Sequence, residues 1–123
     1  MSATRVLGIA GLLIAVGIVI GAMGAHALQR VLEPRQLESL HTAVNYQLFN
    51  ALGLLVVGLL MRDDPSSALR VSTVLLIAGI ACFSGGIYLM LAGAPRLLGL
   101  VTPVGGVLLI GGWLTFAVTM LRR

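Results

Sequence analysis

Hydrophobic residues along this chain gather into four long runs: Val6 to Ala25, about Leu40 to Met61, Val71 to Ala92 and Leu97 to Leu121. Each run is close to the ~20 residues that a helix needs to cross ~30 Å of hydrocarbon. Strands of the same composition would leave backbone N–H and C=O groups without partners in lipid, so the runs predict α-helices. Glu33-Pro34 and Asp64-Pro65 place prolines where helices can start, and Gly93-Ala94-Pro95 ends the third run. The connections from Arg62 to Ser67 and from Gly93 to Arg96 are short, which makes neighbouring helices antiparallel. The link from His26 to Ser39 is longer. In it Leu28, Val31, Leu32, Leu37 and Leu40 alternate with Gln29, Arg30, Glu33, Arg35 and Glu38, the pattern of a segment lying in the membrane interface. The expected fold is therefore an all-α integral membrane protein: four transmembrane helices in an antiparallel bundle, with an interfacial amphipathic segment between the first two, as one domain over residues 1–123.

Composition strengthens this picture. The chain is 59% hydrophobic and only 10% charged, against roughly a quarter charged in soluble domains. A small soluble domain leaves too much surface exposed to hide that much apolar area. The net charge of +4 comes from eight basic residues, all arginine, and four acids. The arginines stand singly or in pairs beside the apolar runs and form no basic stripe. They read as topology signals and lipid-headgroup contacts, not as a nucleic-acid surface. Placing the N-terminus in the cytoplasm puts Arg5, Arg62, Arg70, Arg122 and Arg123 inside and Arg30, Arg35 and Arg96 outside. Five against three favours both termini cytoplasmic. Arg5, the following apolar stretch and Ala25-His26-Ala27 also resemble a signal peptide with a cleavage site; the reading adopted is a retained first helix. Cys82, the one cysteine, can form no intrachain disulfide and reads as a small apolar packing group.

Polar residues inside the runs are few and unevenly placed. They are His41, Thr42, Asn45, Tyr46, Gln47 and Asn50 in the second, Ser84 and Tyr88 in the third and Thr102 in the fourth, with His26 closing the first. Each amide or imidazole is costly in lipid unless it finds a partner. In an antiparallel arrangement all of these fall in one half of the membrane, the outer half by the arginine count. The other half offers only Ser72, Thr73, Thr115 and Thr119, whose hydroxyls can bond back to their own helices. At 100° per residue His41 and Asn45 share one side of the second helix, and Tyr46, Gln47 and Asn50 another. The candidate cluster is thus His26, His41, Asn45, Tyr46, Gln47, Asn50, Ser84, Tyr88 and Thr102, serving as a hydrogen-bonded core or as a binding pocket. Its expected bonds run from Asn45, Gln47 and Asn50 to the Ser84 and Thr102-Pro103 regions. Pro103 cannot donate to the Gly99 carbonyl, which predicts a kink in the fourth helix.

Small residues suggest where helices approach closely. Gly17, Gly21 and Gly24 on the first run, Gly85 and Gly86 on the third, and Gly105 and Gly106 on the fourth are the candidate packing positions, within the bundle or between copies.

Reactive chemistry is hard to assemble. Glu38-x-x-His41 has di-metal spacing, but that site needs the motif twice with further carboxylates, and only His26 remains. Ser39 has no activating partner, and phosphate loops, dinucleotide fingerprints and haem ligand pairs are absent, so no metal, cofactor or catalytic residue is assigned. A conduction path needs polar groups through the full thickness, which the apolar inner half lacks.

Several motifs resemble those of a known family. Gly21-Ala22-Met23-Gly24-Ala25-His26-Ala27-Leu28 is similar to the "GAFGAH" signature of the YgdD-like family (domain of unknown function 423) of small bacterial inner-membrane proteins. Thr42-Ala43-Val44-Asn45-Tyr46-Gln47, Phe83-Ser84-Gly85-Gly86-Ile87-Tyr88, and Thr102-Pro103-Val104-Gly105-Gly106 with Gly112-Trp113 resemble its later signatures in order. Asn50 stands where that family commonly has histidine. The resemblance implies four helices and an inner-membrane address, and no reaction. The expected role is a non-enzymatic accessory or assembly subunit, with membrane lipids, a larger membrane complex or a homo-oligomer as partners. The alternative is a lipid- or small-molecule-binding protein using the polar cluster, and a transporter or channel is the reading favoured least. A reporter fused after Arg123 should be active only on the cytoplasmic side; activity only on the far side overturns the arginine-based orientation.

Overall fold

The computed structural model describes every residue from Met1 to Arg123. Its long helices are α1 (Ala3–Ala25), α2 (Pro34–Asp63), α3 (Ser67–Leu91) and α4 (Val101–Leu121), with 3-10 turns at Ala27–Arg30 and Arg96–Leu100. There are no strands, and all four helices, the last taken with its 3-10 turn, are long and apolar enough to span a membrane. Charged residues lie only near helix ends or in the connections. The all-α membrane architecture expected from the sequence is the one the chain adopts.

Local chemistry explains the boundaries. Ser2 and Ser66 cap α1 and α3, their hydroxyls accepting from the backbone N–H of Arg5 and Leu69 at 3.3 Å each. Pro34 opens α2, and the Gln36 side chain reaches back to accept from the Glu33 N–H at 2.9 Å. Pro65, expected to open the third helix, instead precedes its cap, because Asp64 Oδ1 accepts from the Ser66 N–H at 3.2 Å and holds the turn open. At the end of α3, Gly93 N–H donates to Met90 and Ala94 N–H to Leu89, with Gly93 at φ 97°. That left-handed cap suits glycine and turns the chain sharply toward α4. The expected kink at Pro103 takes another form. Pro103 is the third residue of α4. Its ring obstructs α-geometry on the preceding turn, and the chain there tightens into the 3-10 turn Arg96–Leu100.

The helices pack in chain order, α1 on α2, α2 on α3 and α3 on α4, while α1 and α4 share no extended contact. Helix α2 is the centre. Its buried positions recur every seven residues: Leu40, Gln47, Leu54 and Met61; Ala43, Asn50 and Val57; Val44, Ala51 and Gly58. This is the seam of antiparallel helices crossing at a shallow angle. On the terminus side the seam is apolar, with Val6, Ala10, Leu54, Val57, Leu69 and Leu76 in one buried cluster. The outward faces carry Leu12, Ile18, Phe49, Val56, Val107 and Ile110, which only lipid or a partner can cover.

Glycines set the helix spacing, at positions that depart in part from the sequence reading. Methyls on Gly17, Gly21 and Gly24 would meet Leu48, Val44 and Leu40 of α2 at 2.7, 3.3 and 2.7 Å. Across α3 and α4, Gly86 faces Thr102, Gly79 faces Leu109, Gly112 faces Leu76, and a methyl on Gly105 would land on the Phe83 backbone. Gly85 was expected at this interface but has nothing within 4 Å, and Gly106 has only Phe83 at 3.8 Å. Each is the sequence neighbour of a true contact residue and is rotated 100° off the seam. Gly53, Gly58 and Gly79 were not anticipated: Gly53 receives the Trp113 ring and Gly58 receives Val6 and Leu7. Because a side chain at Gly105 would meet backbone, which cannot rotate away, Gly105→Ala should lower stability by about 1–3 kcal/mol. Gly85→Ala, in open space within a helix, should be neutral or stabilising by up to about 1 kcal/mol. Equilibrium unfolding in detergent measures both; equal effects would contradict this seam.

Candidate functional site

Two amides interrupt the apolar seam of α2, and both are buried: Gln47 is 3% exposed and Asn50 2%. Gln47 Nε2 donates to the Leu13 carbonyl of α1 at 2.7 Å, and Gln47 Oε1 accepts from the Tyr88 hydroxyl of α3 at 2.7 Å. One turn on from Leu13 is Gly17, where a methyl would clash with Leu48 of α2 at 2.7 Å, so α1 and α2 lie close here. A methyl there would come within 3.4 Å of Gln47 Nε2. One side chain thus joins three helices. Asn50 Nδ2 donates to the Tyr46 carbonyl of its own helix at 2.8 Å, and Asn50 Oδ1 accepts from Trp113 Nε1 of α4 at 2.8 Å. Ser84 donates from α3 to the Ala43 carbonyl of α2 at 2.6 Å. Together these bonds connect all four helices through α2.

This network overlaps the sequence-derived cluster only in part. Gln47, Asn50, Ser84 and Tyr88 come together, but His26, His41 and Asn45 are exposed and make no side-chain hydrogen bonds. His41 and Asn45 fall outside the seven-residue stripe of α2, and His26 ends α1 at the membrane edge. Tyr46 stacks on Phe83 with ring centroids 4.5 Å apart and leaves its hydroxyl unpaired. Thr102 presses on Gly86, and its buried hydroxyl has no partner. The expected bonds from the amides to Ser84 and Thr102 do not form: Ser84 takes a backbone carbonyl, and Asn50 reaches Trp113 instead. The depth also differs. Leu13 is near the middle of α1, and Trp113 lies past the middle of α4 toward its C-terminus, so the network reaches mid-membrane. Sequence reasoning missed both. Leu13 acts through its backbone, and Trp113 is the one side chain here whose donor, a lone indole N–H, could have flagged it.

On the terminus side the hydroxyls divide. Thr115 and Thr119 bond back to the Gly111 and Thr115 carbonyls as expected. Ser72 instead donates across to the Gly112 carbonyl of α4 at 2.8 Å, and Thr73 to Met61 Sδ of α2 at 3.3 Å. Both are fully buried between helices, so a neighbour's acceptor is nearer than their own turn. No three His, Cys, Asp or Glu side chains converge as metal ligands. An ion pair between Arg123 and Asp64 ties the C-terminus to the α2–α3 turn.

The family model described as "Protein of unknown function (DUF423)" matches residues 20–106, from the end of α1 into α4. The chain belongs to this family. Relatives of this DUF423 protein include the UPF0382 membrane protein YwdK of Bacillus subtilis, 39% identical over 95% of this chain and 94% of the relative. The UPF0382 membrane protein SERP0230 of Staphylococcus epidermidis is 38% identical over 95% and 93%, and the UPF0382 inner membrane protein YgdD of Escherichia coli is 33% identical over 85% and 80%. No solved structure matches it. Gln47, Asn50, Ser84 and Tyr88 lie inside the DUF423 match, whereas Leu13 and Trp113 lie outside it.

If Gln47 and Tyr88 share a bond, their losses are not additive. Gln47→Leu and Tyr88→Phe should show a coupling of about 0.6 kcal/mol, up to roughly 1.7. A double-mutant cycle by unfolding in detergent reads it, and strict additivity would remove the bond from this account.

Proposed function

We propose that this DUF423 protein is a non-enzymatic accessory or assembly subunit of the bacterial inner membrane, with both termini cytoplasmic, acting on larger membrane partners through its lipid-facing surface. The observation that carries the reading is the internal commitment of the buried amides and indole. Gln47, Asn50, Ser84, Tyr88 and Trp113 are bonded to one another or to backbone carbonyls. Their partners are amides and backbone carbonyls, with no imidazole or carboxylate among them to act as a general base. Helices α1 and α4 fully bury only four and three residues, and the segments joining the helices are short. The surface available for recognition is therefore transmembrane. The apolar terminus-side cluster also argues against a conduction path.

Affinity purification of the full chain from its own membranes in a mild detergent, with mass spectrometry, should recover a larger membrane assembly in stoichiometric amount. Recovery of the chain alone, as a monodisperse monomer, overturns the subunit reading.

A further inference from the structure

The link between α1 and α2 separates two hollows of opposite character. Beneath it lies a cavity of about 250 Å³ lined only by apolar surface: Ile20 of α1, Leu28 and Leu32 of the link, Leu40 of α2, and the Tyr88 ring and Leu91 of α3. On its other side His26, Gln29 and Arg30 line a polar hollow of about 680 Å³. The separation follows from the local fold. The 3-10 turn Ala27–Arg30 and the Leu32 N–H to Leu28 carbonyl bond of 2.9 Å hold Leu28 and Leu32 on one side, half-buried, while His26, Gln29 and Arg30 stay exposed.

Each hollow specifies part of an occupant. A cavity with no polar lining stays dry and takes hydrocarbon. Its volume falls short of the ~300–1,000 Å³ of a drug-sized pocket, so it holds a stretch of chain and not a bulky ring system. Arg30 pairs with no carboxylate; the single ion pair of the protein joins Arg123 and Asp64 at the opposite end. An unpaired guanidinium with a neighbouring amide suits a phosphate oxygen.

We propose that this link is a binding site for one anionic phospholipid of the leaflet opposite the termini. One acyl chain enters the cavity between α1 and α3 under Leu28 and Leu32, and the phosphate rests on Arg30 and Gln29. The amphipathic link is then the surface on which the lipid is held across its headgroup–chain boundary. This site meets the Gln47–Asn50 network only at Tyr88, whose ring lines the cavity while its hydroxyl bonds Gln47, and it does not depend on the subunit reading.

The full chain in neutral detergent, titrated with phosphatidylglycerol or phosphatidylcholine of identical acyl chains, tests it by native mass spectrometry. The first phosphatidylglycerol should bind about fivefold more tightly than the first phosphatidylcholine, the factor expected of one basic residue at a membrane surface. Arg30→Gln should erase that preference. Arg35→Gln, the same charge change on the same membrane side but outside the hollow, should keep it. Leu32→Trp, which fills the cavity, should weaken both lipids. Arg30 is exposed, so its variant folds even if Leu32→Trp does not, and circular dichroism checks each. Equal binding of the two lipids by the unaltered chain, a preference that survives Arg30→Gln, or undiminished binding by a folded Leu32→Trp overturns the proposal.

Discussion

Lipid offers no hydrogen bonds, so an amide buried at depth is answered by the protein itself. In this chain that demand falls mainly on α2. Gln47 and Asn50 occupy seam positions that are otherwise leucine, alanine, valine, glycine and methionine, and each finds partners on other helices. Apolar side chains slide past one another at little cost in hydrocarbon, because lipid tails are equally good neighbours. Directional bonds to Leu13, Tyr88 and Trp113 remove that freedom by setting the register of α1, α3 and α4 against α2.

The glycines follow from the same demand. A hydrogen bond of 2.7 Å between helices requires backbones close enough for the side chain to reach. Gly17 lets α1 lie close against Leu48 beside the Gln47–Leu13 bond, and Gly53 makes room for the Trp113 ring whose N–H answers Asn50. Between α3 and α4 close packing takes over, with Gly105 against the Phe83 backbone and one hydroxyl bond from Ser72 to Gly112. The molecule therefore combines two modes of association: polar bridging around α2, and backbone-to-backbone contact across α3 and α4. The helices with the fewest buried residues, α1 and α4, are left with broad apolar faces and no extended contact between them.

Polar bridging around α2 ties Gln47, Asn50, Ser84, Tyr88 and Trp113 into hydrogen bonds, and this turns attention to the edges of the molecule. The link after α1 carries unbonded Arg30 and His26 beside an apolar cavity. The curated relatives carry names that specify a membrane protein and no reaction.

The sequence by itself determined the number of spans, their approximate limits, their alternation in direction and the family, because hydropathy over ~20 residues and glycine or proline punctuation are local properties. It also pointed to Gln47, Asn50, Ser84 and Tyr88, since polar residues in a lipid-spanning run must meet something. Only the tertiary structure decided what they meet. One partner, Leu13, contributes a backbone carbonyl that no side-chain pattern reveals, and another, Trp113, lies 63 residues from Asn50. Tertiary packing also separated Gly86 from Gly85 and Gln47 from Asn45, pairs alike in chemistry and close along the chain. The difference between them is rotation about the helix axis, and which direction faces a neighbour is set by the other three helices.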